Sequence, residues 1–375
     1  MPPAIPASDP LPSAVDGASP APSEPGALPL EVRERRPEDV VPLEAWLSER
    51  GATVFQRPAW LRAVERVFGH EPRELLCTRG EAVVGYLPLM RCRRLTSGSH
   101  LISTPYGVYG GPVVETEDGA EIESALVERA LQEARRLGVG RLELRAREPL
   151  AHPGLTASDL YVTFVKDLPE DYDGVLRGMK KDERRLVRRA ADTHGLELDE
   201  GSWYLEDLAR LFQASKQRLG SPGLPPAWFR ALAEELGEAA PVHIVRRGSQ
   251  VLAASQCFVD GEDLRMYYIG TTPEANRAFA ATSFMIAELQ RWAIERGLRR
   301  FDLGRSRRDA GAVKFKTNQG FAPEPLHYAY GLVRSKGLPS FTPSNPRTAL
   351  LRRTWTRLPA WLARRLSARL APFLP

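Results

Sequence analysis

The same order of helix and strand patterns runs through this chain twice, and that repetition constrains the fold more than any single motif. In the first pass, Glu31 to Arg36 reads as a strand and helical spacing follows at 38–50 and 58–68, with Trp60, Leu61, Val64 and Phe68 recurring on one face. Strand-like runs then cover Glu74 to Thr78, Ala82 to Met90 and His100 to Ser103, the first two joined as a hairpin by Arg79-Gly80-Glu81. A helix over about 120–137 carries Ile122, Ala125, Leu126, Ala130 and Leu137 on one face. Gly138 stops it, and Arg141 to Arg145 alternates as a strand. In the second pass, 204–219 and 226–237 read as helices and Pro241 to Arg246, Val251 to Val259 and Asp263 to Gly270 as strands. A helix at about 281–296 ends at Gly297, and Arg300 to Leu303 and Leu326 to Val333 are the last strands. The two long helices lie roughly 160 residues apart, so the pattern predicts a duplicated domain rather than a solenoid.

Length and charge set the boundaries around that repeat. The chain has 375 residues, enough for two domains with extensions. Residues 1–29, rich in Pro, Ala and Ser, read as a disordered tail, without the basic start and apolar run of a secretory signal. The expected domains are 30–160 and 161–335, followed by a basic amphipathic tail at 336–375. The net charge is +5, but residues 346–375 alone hold seven arginines and no acid. The basic character is therefore local, and a body-wide nucleic-acid footprint is not supported. Cys77, Cys92 and Cys257 form no C-x-x-C pair and no zinc-ligand spacing, which fits buried thiols in a reducing compartment. No stretch approaches the ~20 apolar residues of a spanning helix. The expected location is cytoplasmic, with the tail as a candidate for peripheral contact at the inner face of the membrane.

Two segments admit two readings each. Arg177 to Ala191 is a basic helix within the second domain, either facing an anionic partner such as tRNA or a lipid diphosphate, or serving as a solvated connector. In the tail, Leu351, Trp355, Leu358, Leu362, Leu366 and Leu370 form an apolar stripe opposite Arg353, Arg357 and Arg364, divided by Pro359. This suits an interfacial membrane contact or docking on the protein's own lobes.

Three motifs in order resemble the FemAB-related proteins, and more narrowly the branch associated with the PEP-CTERM/exosortase system and exopolysaccharide loci. They are Phe301-Asp-Leu-Gly-Arg305-Ser306, Gly311-Ala-Val-Lys314-Phe-Lys316-Thr-Asn-Gln-Gly320-Phe321 and Pro325-Leu-His-Tyr328-Ala-Tyr330. The first half agrees in Ser103-Thr104-Pro105-Tyr106-Gly107-Val108-Tyr109-Gly110-Gly111, and the tail in Asn345-Pro346 and Trp355-Thr-Arg-Leu358-Pro359. The resemblance covers about residues 40–370, with Gln319 standing where an aromatic is usual. It implies tandem GNAT-like α/β domains with mixed sheets, and transfer of an acyl or aminoacyl group to an amine on a cell-envelope or exopolysaccharide precursor. It further implies a lysine near the reacting carbonyl or the acceptor phosphates, a role that passes to Lys316.

In such a fold the strand before the second long helix diverges from its neighbour and leaves amides free to hold a developing oxyanion. Here that strand is Arg265 to Gly270, which carries Tyr268 as a candidate substrate contact. Asp302 lies in the next strand, where a carboxylate can accept a proton from an attacking amine. Arg305, beside Ser306, is placed to clamp a phosphate or carboxylate. Tyr106, Tyr109, Gly110 and Gly111 form an aromatic-glycine loop suited to a sugar or peptide acceptor, and Tyr328 lines a groove or packs in the core. Lys314 and Lys316 share a face only if their segment is extended. No tightly bound cofactor or metal is expected. No glycine lies between Gly270 and Gly297, which hinders close backbone approach to a pyrophosphate and tilts the donor from acyl-CoA towards aminoacyl-tRNA. The competing reading is a catalytically silent binding or scaffold module of a membrane-associated polysaccharide or protein-sorting system.

Overall fold

A computed structural model describes residues 28–95, 98–338 and 346–375. The expected disordered tail lies outside these residues except for Leu28 and Pro29, and so does Asn345.

Both halves build the same unit, a strand, a long helix and a second strand parallel to the first. In the first half these are Ser99–Ser103, Gly119–Arg136 and Arg141–Ala146. In the second they are Asp263–Thr271, Ala281–Glu295 and Arg300–Asp302. Each pair of parallel strands touches only briefly, at Leu101↔Leu142 and Ile102↔Glu143 in one half and from Asp263↔Arg300 to Arg265↔Asp302 in the other. Each unit sits in a six-stranded mixed sheet.

The halves are tied by strands that cross between them. His327–Leu332, last in order, does not extend the second-half sheet but pairs antiparallel with Arg141–Ala146 of the first. Val165–Asp167, which follows the first half, pairs with Arg300–Asp302 of the second. Tyr161–Thr163 joins Ser306–Arg307 and Glu324–Pro325 in a small three-stranded sheet. An aromatic core fills the space between. Trp60 from the helix Pro58–Phe68 meets Trp228 from Pro226–Leu236 edge-on at 5.3 Å, and Phe55 packs on Phe258 at 5.8 Å. Burying side chains of this size contributes about 1.5–3 kcal/mol each.

Two elements differ from expectation. The strand Ala82 to Met90 is two, Ala82–Leu87 and Leu89–Arg93, in different sheets. Pro88 between them has no N–H to continue a ladder. The basic helix is also two, Tyr172–Gly178 and Lys181–Asp192. Met179 between them is extended and buried, and the Lys180 amide donates to the Asn318 carbonyl at 3.1 Å. Val187 and Ala190 are buried, while Lys180, Lys181, Arg185, Arg188 and Arg189 are exposed. Among the described residues no helix is long and apolar enough to cross a membrane.

Candidate active site

Beyond Arg265 the strand Asp263–Thr271 parts from Arg300–Asp302. A bulge makes the divergence effective: Gln256 faces Tyr268 and Cys257 faces Met266, so Tyr267 is an inserted residue. Tyr267 and Tyr268 both point into the aromatic core between the halves. The far end of the strand is held by the helix Leu205–Arg218. Ser215 Oγ accepts from the Thr271 amide at 3.1 Å and donates to the Thr271 carbonyl at 2.7 Å. At Gly270 a Cβ would lie 2.3 Å from the Phe212 nitrogen, so only glycine admits the helix this close.

Between these two anchors lies a cavity of about 330 Å³. Its walls include Tyr267 and Tyr268 on one strand, Leu303, Gly304 and Arg305 at the end of the other, and Phe212 and Lys216 on the helix. The first half supplies Tyr106, Val108 and Arg145.

The near end of the split is fixed by a buried ion cluster. The Arg265 guanidinium donates to Asp260 at 2.6 Å, to Asp263 at 2.7 Å and to Asp302 at 2.7 Å. Burial lowers the Arg265 pKa, but the carboxylates outweigh burial and hold it above the usual arginine range. Burial raises the Asp260 pKa against the pull of Arg265. Asp302 also accepts from the Gly304 amide at 2.6 Å and from the Tyr109 hydroxyl at 2.8 Å. Tyr109 is thereby held protonated, its pKa pushed far up by burial and then by Asp302.

Lys316 is helical, in Gly311–Asn318, so Lys314 diverges from it and is exposed. The Lys316 ammonium donates to the carbonyls of Leu303 at 2.7 Å and Gly304 at 2.8 Å. Burial lowers its pKa to about 8, with Asp302 raising and Arg305 lowering it. It grips the strand end from behind rather than lining the cavity. Of the expected trio Asp302, Arg305 and Lys316, only Arg305 opens into the hollow, and the other two brace the strand end that carries it.

The remaining expected residues divide in the same way. Tyr106 and Tyr268 line the cavity. Tyr106 has φ 64 and Thr104 φ 52, a backbone strained by about 1–3 kcal/mol at each. The strain puts the Tyr106 carbonyl where the Tyr267 hydroxyl donates to it at 2.8 Å. Tyr109, Gly110 and Gly111 are buried behind the wall. Gly110 donates its amide to the Arg145 carbonyl at 2.8 Å, and Gly111 accepts from Gln56 at 2.9 Å. Ser306 is buried in the small sheet opposite Val162. Tyr328 is buried beneath Arg305, accepting from its Nη1 at 3.1 Å and donating to the Val108 carbonyl at 2.8 Å. Sequence reasoning missed Lys216, Phe212, Tyr267 and Arg145. Arg145 had a readable signal, since Arg141, Glu143 and Arg145 alternate on one strand face, but nothing local marked Lys216.

The segment after Pro359 docks on the protein's own body. Ser367 Oγ accepts from Gln213 at 2.9 Å and the Gly223 amide at 3.1 Å. The Tyr106 hydroxyl donates to the Ala371 carbonyl at 3.0 Å and Arg145 to the Pro375 carbonyl at 3.2 Å. Leu374 and Pro375 thereby reach the cavity mouth. Leu350, Leu351 and Trp361 remain exposed.

Where a glycine loop would meet a pyrophosphate, this chain has a short helix, Pro273–Phe279. Asn276 Oδ1 accepts from the Thr282 amide at 3.0 Å in the first turn of Ala281–Glu295. Glu183 reaches the same turn, accepting from Ser283 at 2.9 Å and from Gln319 at 2.8 Å. Gln319, unusual in its motif, is the link that holds this carboxylate.

Residues 176–317 match the family model for an acetyltransferase (GNAT) domain. The fold is similar to the crystal structure of FemX, at 13% identity, with 86% of this chain and 100% of that chain covered and a TM-score of 0.61. It is also similar to L-PGS from Bacillus licheniformis, at 15% identity, 90% and 98% coverage and a TM-score of 0.50. A conserved protein of unknown function from Bacteroides thetaiotaomicron VPI-5482 has a TM-score of 0.50 at 12% identity, with 81% and 99% covered. No curated protein matches in sequence. The chain therefore carries a tandem GNAT-like α/β fold of acyltransferase type, the second unit holding the matched domain.

Proposed function

We propose that this protein transfers an acyl or aminoacyl group to an amine on a cell-envelope or exopolysaccharide precursor, with the chemistry in the split between Asp263–Thr271 and Arg300–Asp302. The observation that carries the reading is that the parallel strands part after Arg265 and open directly onto the cavity. Strand amides without a neighbour on that side can hold the oxyanion that forms when an amine attacks the donor carbonyl. Lys316 and Asp302 act as positioning residues. The first fixes the Leu303 and Gly304 carbonyls, and the second fixes the Gly304 amide and Arg265. Arg305, Tyr106 and Tyr268 face the substrate, and the aromatic floor suits a sugar or peptide body.

The donor is proposed to be aminoacyl-tRNA rather than acyl-CoA. The position at which a helix N-terminus takes a pyrophosphate already has an Asn276 cap and the Glu183 carboxylate, and a second anion there is repelled. The basic face of Lys181–Asp192 fits a polyanionic donor. The GNAT-domain match favours acyl-CoA as the second reading. A docked tail with Leu350, Leu351 and Trp361 exposed beside arginines is consistent with peripheral contact at a membrane surface.

Mass spectrometry of small molecules that co-purify with the protein identifies the acceptor class, and turnover with each donor follows. Calorimetric binding of coenzyme A would reverse the donor assignment. An identified ligand that is held but never acylated from either donor favours the scaffold reading.

A further inference from the structure

We infer that the cavity holds an oxyanion, a carboxylate or phosphate group carried by the acceptor, between the Lys216 ammonium and the Arg305 guanidinium. The inference rests on the acyl-transfer reading of this cleft and names a property of the acceptor that the reading leaves open.

The two cations belong to different elements and line one hollow. Lys216 comes from the helix Leu205–Arg218, and Arg305 follows the strand Arg300–Asp302. Neither has a carboxylate partner among the described residues. Arg305 has a single hydrogen bond, to the Tyr328 hydroxyl, and its guanidinium lies over the Tyr161 ring at 4.7 Å. Lys216 has only the Phe212 ring, at 5.1 Å. The contrast with Arg145 in the same wall and with Arg265 behind it is informative. Arg145 is paired with Glu143 at 3.0 Å, its other nitrogens bonded to the carbonyls of Thr104, Gly107 and Pro375, and Arg265 holds three aspartates. Arg145 and Arg265 are thus neutralised by carboxylates, whereas Lys216 and Arg305, which line the cavity, have no such partner among the described residues. No Asp or Glu side chain is among the described residues that line the cavity, while Arg145, Lys216 and Arg305 are.

Two like charges in a partly desolvated hollow repel each other, and an anion between them reverses the sign of the interaction. The Lys216 pKa is pushed down by burial and then by Arg305, as expected for a cation without a counter-charge. Tyr328 engages one end of Arg305 and leaves the rest of its donor fork for a planar oxyanion. Phe212, Leu224 and Tyr267 line the same cavity, so the anion belongs to a ligand with an apolar or sugar-like body.

Isothermal calorimetry on the full chain with inorganic phosphate, pyrophosphate and acetate tests this, the acetate arm separating carboxylate from phosphate recognition. Saturable one-site binding of at least one probe is expected. Lys216→Met and Arg305→Met should each weaken it by about tenfold or more, the order expected for removing one charge-assisted bond. Arg230→Met, at an exposed position of Pro226–Leu236 outside the cavity, should leave it unchanged. If Lys216→Met fails to fold, Lys216→Arg keeps the charge and should retain binding. Absence of saturable binding in the wild type at millimolar probe, or full binding in Lys216→Met, overturns the inference. In that event acylation of a neutral amine would still uphold the transfer reaction. Intact anion binding without any acyl transfer would instead retain the subsite and sink the reaction.

Discussion

Replacing Asp302 with asparagine separates a catalytic base from a structural anchor, because the two roles predict opposite patterns of damage. One carboxylate oxygen takes Arg265 at 2.7 Å and the Tyr109 hydroxyl at 2.8 Å, and the other takes the Gly304 amide at 2.6 Å. Asparagine retains one oxygen and presents an NH2 group in place of the other, so one donor must face another donor. Losing the charge-assisted bond to Arg265 costs about 1.5–3 kcal/mol, and stranding a buried donor adds about 1–3 kcal/mol. Arg265 keeps Asp260 and Asp263, which places the total near the lower end of the about 3–5 kcal/mol typical of broken buried pairs. With a urea slope of about 3 kcal/mol/M, the unfolding midpoint should fall by about 1 M with the slope unchanged. Tyr109→Phe should give a smaller loss in the same direction, since it removes one neutral donor. A midpoint within about 0.3 M of wild type, less than about 1 kcal/mol on that slope, together with abolished turnover, would refute the anchor argument and restore Asp302 as the proton acceptor.

Other substitutions probe the rest of the frame. Lys316 loses its charge as pH rises through about 8, because burial has lowered its pKa, and with the charge goes its grip on two carbonyls. Turnover should therefore fall above that pH in the wild type, and Lys316→Met should be impaired throughout and lack this limb of the pH profile. Trp228→Ala opens a void against Trp60 in the core between the halves and should cost about 3–5 kcal/mol by urea unfolding. Removing Ala371–Pro375 breaks the bonds to Tyr106 and Arg145. It should lower stability by about 1–3 kcal/mol and speed ligand entry in stopped-flow measurements.

The doubled strand–helix–strand unit was legible because it depends on local periodicity and on glycine stops, and both long helices begin and end within a few residues of expectation. The split strand at Pro88 was legible in principle, since a missing N–H in a ladder is a local fact. The strand His327–Leu332 was recognisable as a strand but not as a partner of Arg141–Ala146, because pairing over such a separation leaves no local mark. The site divides on the same ground. Arg305 and Tyr106 sit in motifs and Tyr268 on the strand expected to diverge, and all three line the cavity. Lys216 sits on an ordinary amphipathic helix, and only the close packing of that helix on Gly270 brings it to the cleft. Asp302 and Lys316 were visible as residues that mattered. Their orientation was not, because it depends on an ion cluster and a helix turn assembled from distant segments.

The duplication explains why one half cannot make this site alone. A split between parallel strands exposes backbone, and exposed backbone in a groove needs walls that do not themselves fill the gap. In the second half Leu205–Arg218 closes one end of the split through Ser215, and the Arg265 cluster closes the other. The floor must come from elsewhere, and it comes from the loop Thr104 to Gly111 of the first half. That loop adopts two left-handed non-glycine residues and buries Tyr109 against Asp302. Its strain is offset by bonds that exist only when both halves are docked: Tyr267 to the Tyr106 carbonyl, Tyr109 to Asp302 and Tyr328 to the Val108 carbonyl. The first half thus acts as the wall that shapes the second half's cleft, and the exchanged strands His327–Leu332 and Val165–Asp167 keep the two from separating.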